Sequence, residues 1–120
     1  MREVETEIER KNFIRALFLA KKANLSEDKI KEIAHKAIWQ AAGIGRNPYA
    51  VKQLAQELGY SKEDVKEILL EQAKREEESG NKKILGFCYD YRSGKYLNFH
   101  NWLERLLKEW DKINIDSGRG

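Results

Sequence analysis

Residues 51–70 have the sequence VKQLAQELGYSKEDVKEILL, which contains the most specific structural pattern of the chain. Its fifth and ninth positions are Ala55 and Gly59, and its fifteenth and eighteenth are Val65 and Ile68. A small residue at the fifth position lets two helices cross closely, and a glycine at the ninth permits a left-handed turn between them. Branched apolar residues at the last two positions fix the second helix onto the first. The stretch therefore predicts a helix-turn-helix.

The residues that flank this stretch mark where its helices begin. Asn47 and Pro48 form a helix start, because asparagine is a good N-cap and proline fits the first helical position. Ser61, with Asp64 three residues later, has the spacing of a capping box at the start of the second helix. The predicted helix-turn-helix occupies residues 47–79.

Two helices are predicted upstream of the motif. The first runs from Glu3 to Lys22 and has apolar residues on more than one face, which indicates a central helix or one shared with another subunit. The second begins after Ser26 and follows the i, i+3, i+4 rule of an amphipathic helix. Helices are therefore assigned within residues 3–42, and residues 1–115 are treated as a single domain.

Downstream of the motif, the apolar period changes from helical to alternating, which is typical of strands. Residues 83–99 are predicted to form a β-hairpin, and a final helix over residues 100–113 is capped by Asn98 or Asn101. The tail, residues 116–120, is expected to be mobile. The predicted fold class is mostly α, a helical domain with a central helix-turn-helix and a β-hairpin wing.

A helix-turn-helix followed by a hairpin with Arg92 and Lys95 at its tip resembles the winged helix-turn-helix superfamily over residues 47–99. The resemblance implies a DNA-binding protein, a transcriptional regulator. A homodimer through the apolar excess of the first or last helix is expected, and it would suit helix-turn-helix proteins, which bind half-sites in pairs. In that superfamily the second motif helix enters the major groove and the wing touches the backbone or the minor groove. Carried over by position, the residues expected nearest the base edges of double-stranded DNA are Ser61, Lys62, Glu63, Lys66 and Glu67, and those expected near phosphate are Arg92 and Lys95. Arg46 is a further expected DNA contact.

The charge of the second motif helix argues against a simple transfer of this function. Residues 62–78 carry seven acidic and four basic side chains, a net charge of −3. Affinity for duplex DNA comes largely from lysine and arginine, so this helix is poorly suited to the phosphate backbone. The alternative is a protein-interaction module, an adaptor or small subunit of a complex, with the aromatic hairpin as its contact patch. A small enzyme completed by another chain is a third and less favoured interpretation.

Two other regions carry a basic excess. Residues 10–26 contain five basic side chains and no acidic one, and residues 79–99 have a net charge of +3. Beside the basic residues of the hairpin, Tyr89, Tyr91 and Tyr96 have the character of a base-stacking surface, as in proteins that bind single strands. Coverage of the core by this aromatic strand face is the favoured interpretation.

Composition restricts the class of protein. The 120 residues are 41% hydrophobic and 36% charged, which suits one globular domain and argues against disorder. No apolar stretch approaches the roughly 20 residues of a membrane span, and no signal peptide is visible, so a cytoplasmic location is expected. The high lysine and glutamate content leans toward a thermophilic source.

Catalytic and metal-binding patterns are missing from the sequence. His35, His100 and Cys88 are too few and too far apart for a zinc site, and each is expected to be structural, with Cys88 as a buried thiol. The Gly-Ile-Gly-Arg segment that ends at Arg46 lacks the remaining residues of a phosphate-binding loop. We therefore predict no metal, no cofactor and no enzymatic activity.

Overall fold

The computed structural model describes residues 2–90 and 93–113. The predicted Arg92 contact and the predicted mobile tail lie outside these residues. The fold is mostly helical with one two-stranded antiparallel hairpin, which confirms the predicted fold class. The regular elements are α1 (Arg2–Glu9), α2 (Phe13–Lys22), α3 (Glu27–Trp39), α4 (Pro48–Leu58), α5 (Lys62–Glu78), β1 (Cys88–Asp90), β2 (Lys95–Leu97) and α6 (Phe99–Lys108). They are joined by a π-helical turn (Gln40–Ile44) and two 3₁₀ turns (Lys82–Leu85 and Trp110–Lys112).

The prediction of one N-terminal helix over residues 3–22 is wrong, because the chain breaks between α1 and α2. Lys11 has a left-handed backbone with φ of 59°, and its carbonyl accepts a hydrogen bond from the side chain of Gln40. The break lets the two helices pack against each other, with Val4 buried beside Ala16 and Ala20. Burial of this apolar side chain therefore stabilises two short helices where the local sequence favours one.

The third helix passes directly into the π-helical turn that leads to α4. Ser26 caps the start of α3 by accepting a hydrogen bond from the backbone N–H of Lys29 at 3.2 Å. Within the turn, a Cβ on Gly43 would lie only 2.9 Å from the ring of Trp39. Glycine is therefore required at this position, since the Trp39 indole packs directly against the backbone.

The helix-turn-helix forms over α4 and α5 as its sequence predicts. Gly59 takes the left-handed conformation with φ of 77°, and Ala55, Val65 and Ile68 are buried in the main core. The capping box is complete, since Ser61 Oγ accepts from the N–H of residue 64 at 3.1 Å and the carboxylate of that residue accepts from the Ser61 N–H at 2.9 Å. The turn and both helix starts are thus fixed by local hydrogen bonds.

The segment after α5 differs from the prediction. The chain forms a 3₁₀ turn over Lys82–Leu85 where a strand was predicted, and the two strands are only three residues each. The return strand ends at Leu97, because Asn98 caps α6 by accepting from the N–H of Asn101 at 2.8 Å. Phe99, predicted to end the hairpin, is instead fully buried as the first residue of α6.

The last helix closes the main core and is held by a cation from α4. The ammonium group of Lys52 is almost fully buried and donates hydrogen bonds to the carbonyls of Trp110 at 2.5 Å and Ile113 at 2.9 Å. These charge-assisted bonds join α4 to the segment that follows α6. In residues 2–90 and 93–113, no helix has the length and apolar character needed to cross a bilayer.

Candidate nucleic-acid interface

The hairpin is short, and its register places Tyr89 opposite Tyr96. Asp90 organises the turn, because its backbone carbonyl accepts from the Gly94 N–H at 2.8 Å and its carboxylate accepts from the Ser93 N–H at 3.0 Å. Gly94 has φ of 72°, the positive value that the sequence predicts for the turn. These bonds fix the relative positions of the two strands.

An ion pair fixes the hairpin to α6. The buried carboxylate of Asp90 lies 2.7 Å from the guanidinium of Arg105, which also lies 3.3 Å from Glu109 in the next turn of the same helix. Charge-assisted hydrogen bonds of this kind are stronger than neutral ones. One side of the hairpin is therefore turned toward α6, and the other side is left to solvent.

Three aromatic side chains of the hairpin segment are exposed, and we call them the aromatic platform: Phe87, which precedes β1, and the cross-strand pair Tyr89 and Tyr96. Their exposed fractions are 69%, 43% and 67%. The rings of Tyr89 and Tyr96 contact each other edge to face, with centroids 5.3 Å apart. The favoured interpretation that this aromatic face covers the core is therefore wrong for Tyr89 and Tyr96, because the ion-paired Asp90 occupies the inner side, and Tyr91 lies outside the described residues.

The exposed charges around the platform are positive. Lys82 and Lys83 are exposed in the 3₁₀ turn. Lys95 is exposed on β2, where it precedes Tyr96 in the chain and pairs with Asp90 across the hairpin. Asp90 is the only acidic residue in residues 79–99, and it is buried and paired with an arginine. Ligands that combine negative charge with flat apolar surface are favoured by this combination.

The side chain of Arg46 joins the hairpin to neighbouring segments of the chain by hydrogen bonds. Its guanidinium donates to the carbonyls of Gly43, Ile84, Gly86 and Leu97 at distances from 2.9 to 3.2 Å, and it lies 5.5 Å from the centre of the Phe99 ring. Four of the five N–H groups of the side chain are used in this way. Burial lowers the pKa of the Arg46 guanidinium, and the nearby Cys88 acts in the opposite direction. Arg46, a predicted DNA contact, is thus half-buried, and its hydrogen bonds join three segments of the chain.

A cleft of about 280 Å³ lies beside the platform, between the hairpin and the start of α4. Tyr89 belongs to both the platform and the cleft, and Tyr49 lines the cleft from α4. Cys88 also lines it and is exposed, so the prediction of a buried thiol is wrong. Alternation along β1 predicts opposite faces for Cys88 and Tyr89, but it does not reveal that both residues line one accessible cleft.

The residues predicted on the second motif helix lie at the start of α5. Ser61, Glu63, Lys66 and Glu67 are exposed, and Lys62 is half-buried. Ser61 is engaged in the capping box. Over the whole helix, exposed side chains have a net charge of −3, from six acidic and three basic residues: Glu63, Asp64, Glu67, Glu71, Glu77 and Glu78 against Lys66, Lys74 and Arg75. The predicted contacts therefore fall into two groups, one at the start of the net-acidic α5 and one on the hairpin, where Lys95 is exposed.

A second cavity, of about 290 Å³, lies between α3 and α5. The rings of His35 and Tyr60 meet there edge to face, with centroids 5.9 Å apart. Burial, followed by the positive charges of Lys31 and Arg75, lowers the pKa of His35. Burial and the nearby Asp64 raise the pKa of Tyr60. Together these shifts favour a neutral His35 and a neutral Tyr60 at the junction of the two helices.

Comparison with protein-family models, with curated proteins and with solved structures finds no match. In the part of the chain that the structure describes, no group of three or more His, Cys, Asp or Glu side chains is placed to hold a metal ion. The platform, the cleft and the two charged surfaces are therefore the features that indicate a function.

Proposed function

We propose that the protein binds single-stranded nucleic acid through the aromatic platform. The observation that supports this proposal is the combination of three exposed aromatic rings with exposed lysines and no exposed acidic residue in the same segment. A soluble domain rarely leaves large aromatic side chains in solvent side by side, and such patches mark binding sites. The favoured class of partner is therefore one that uses ring stacking and positive charge together.

Single strands supply both kinds of contact. Their unpaired bases have free ring faces that stack on tyrosine and phenylalanine, at about 1–3 kcal/mol per base, and their phosphates attract lysine. In a duplex the ring faces are covered by neighbouring base pairs, so exposed aromatics contribute little there. The platform with Lys82, Lys83 and Lys95 is therefore better suited to a single strand than to a duplex.

Duplex DNA is the second candidate, and the helix-turn-helix geometry favours it. Under this proposal the protein is a winged helix-turn-helix regulator, α5 enters the major groove, and Lys95 contacts the backbone. The exposed net charge of −3 on α5 weakens this candidate, since each phosphate contact needs a cation. A protein partner is the remaining alternative, with the platform as an aromatic hot spot of the interface.

We also propose that the protein self-associates, and that only its N-terminal region forms the contact. Ile14 and Phe18 are exposed on α2, where they form an apolar patch beside Lys21 and Lys22. The apolar side chains of α6 are instead buried within the chain. Light scattering after gel filtration tests this part: a dimer mass that becomes a monomer mass in Phe18→Glu supports it, and a monomer mass for the unchanged protein contradicts it.

Fluorescence anisotropy with labelled oligothymidylate and with a random duplex of equal length tests the main proposal. We expect tighter binding of the single strand and an affinity that falls steeply as salt rises. Tighter binding of the duplex would favour the regulator. No salt-dependent binding of either nucleic acid would contradict both candidates and leave the protein-interaction module.

A further inference from the structure

The cleft beside the platform differs from the platform in shape. It has a volume of about 280 Å³, and its floor includes Trp102, which is almost fully buried. Cavities that hold drug-sized ligands measure roughly 300–1,000 Å³, so this cleft suits a smaller group, such as a single ring system. A second helix or strand of a partner protein would not enter it.

The walls of the cleft are aromatic at its opening. Tyr49 is 50% exposed on α4, and Tyr89 extends the same wall toward the platform. Both rings line one cavity, so a flat group that enters from the platform side meets tyrosine from two elements. Flat heteroaromatic rings gain stacking energy from such walls, whereas flexible aliphatic groups do not.

Polar groups in the cleft are suited to hydrogen bonding with the edge of such a ring. Asn47 uses its side-chain oxygen to cap α4, accepting from the N–H groups of Tyr49 and Ala50 at 3.1 and 3.2 Å. Its amide nitrogen is therefore left as a donor. The hydrogen bonds of Arg46 go to neutral carbonyls, so its positive charge persists at the cleft and favours carbonyl or phosphate oxygens.

From the shared Tyr89, the aromatic walls and these donors, we infer that the cleft takes one unstacked pyrimidine-sized base of the strand that lies on the platform. This inference depends on the proposed function. It assigns the platform to stacking of successive bases and the cleft to recognition of one base edge. Tyr49, Asn47 and Arg46 are the residues that contact this base.

The single cysteine supplies a direct probe, because Cys88 lines the cleft and is exposed. The rate at which Ellman's reagent modifies Cys88 is measured with uridine monophosphate, with ribose 5-phosphate and with neither. We expect the nucleotide to slow the reaction and the sugar phosphate to leave it unchanged. The Tyr49→Ala variant is expected to lose this protection while it still binds oligothymidylate, with an affinity lowered on the order of tenfold.

The possible results test the role of the cleft separately from the role of the platform. If neither compound slows the reaction while oligothymidylate still binds, the base slot is contradicted and the proposed function stands. If both compounds slow it equally, the cleft recognises phosphate, and the assignment to a base is overturned. Failure of oligothymidylate to bind at all would overturn the proposed function and this inference together.

Discussion

Tyr89 and Tyr96 face each other across the two strands of the hairpin, with ring centroids 5.3 Å apart and ring planes at 71°. The contact is edge to face, a favoured geometry for aromatic pairs. Both rings remain open to solvent despite this contact. The pair therefore makes a preorganised surface, since the position of each ring is restrained before any ligand arrives.

Replacement of Tyr96 by alanine should weaken binding of oligothymidylate by roughly 5- to 150-fold, because a stacked base contributes about 1–3 kcal/mol. Tyr96→Phe keeps the ring and should bind nearly as well as the unchanged protein. Leu70→Ala removes an exposed apolar side chain on α5 and serves as the location control. Anisotropy titrations measure all three, and equal affinities for Tyr96→Ala and Tyr96→Phe would exclude stacking at this residue.

Replacement of Lys95 by glutamine should reduce the salt dependence of binding. Each lost phosphate contact lowers the slope of log affinity against log salt by about 0.7 for a single strand. Lys74→Gln makes the same change of charge on the exposed surface of α5 and should leave the slope unchanged. The slope of log affinity against log salt is measured for both variants between low and moderate salt. A larger change in slope from Lys74→Gln would indicate that α5 makes the phosphate contact.

Arg46→Lys should lower the free energy of unfolding by roughly 2–4 kcal/mol, since an ammonium group cannot bridge the four carbonyls that the planar guanidinium joins. Arg10→Lys is the matched change at an exposed position and should alter stability by less than about 0.5 kcal/mol. Urea denaturation followed by circular dichroism measures both variants. Unchanged stability together with lost binding would show that Arg46 serves the ligand and not the fold.

His35 should make stability depend on pH in the weakly acidic range. Its pKa in the folded protein is lowered below the ordinary value of 6.5, so the unfolded chain takes up a proton at a higher pH than the folded one. Stability is then full above about pH 6.5 and falls as the pH decreases through the folded pKa. Denaturation midpoints of the unchanged protein and of His35→Gln between pH 7 and 5 measure this. An equal loss of stability in both proteins would show that groups other than His35 cause the pH dependence.

The helix-turn-helix could be predicted from the sequence because its signals are local. Gly59 at the turn and Ser61 with Asp64 at the helix start act over a few residues, and the structure has each of them in the expected role. The break at Lys11 could not be predicted, because no glycine or proline marks it. It depends on burial of Val4, which is a tertiary effect.

In the candidate site, too, the local features could be predicted from the sequence and the tertiary contacts could not. Alternation along β1 places Tyr89 and Asp90 on opposite sides, but it does not indicate which side faces the core. Arg105, fifteen residues later, decides this by pairing with Asp90. Two of the carbonyls that accept hydrogen bonds from Arg46, those of Ile84 and Gly86, lie 38 and 40 residues further along the chain. Such contacts are not visible in the local sequence, and they determine that the aromatic rings are exposed.

The most direct test of the account is a nuclear magnetic resonance titration of the ¹⁵N-labelled protein with oligothymidylate. We expect the largest changes in amide chemical shift at Phe87, Tyr89, Lys95 and Tyr96, with little change along the start of α5. Changes concentrated at residues 61–67 with an unperturbed hairpin would contradict it.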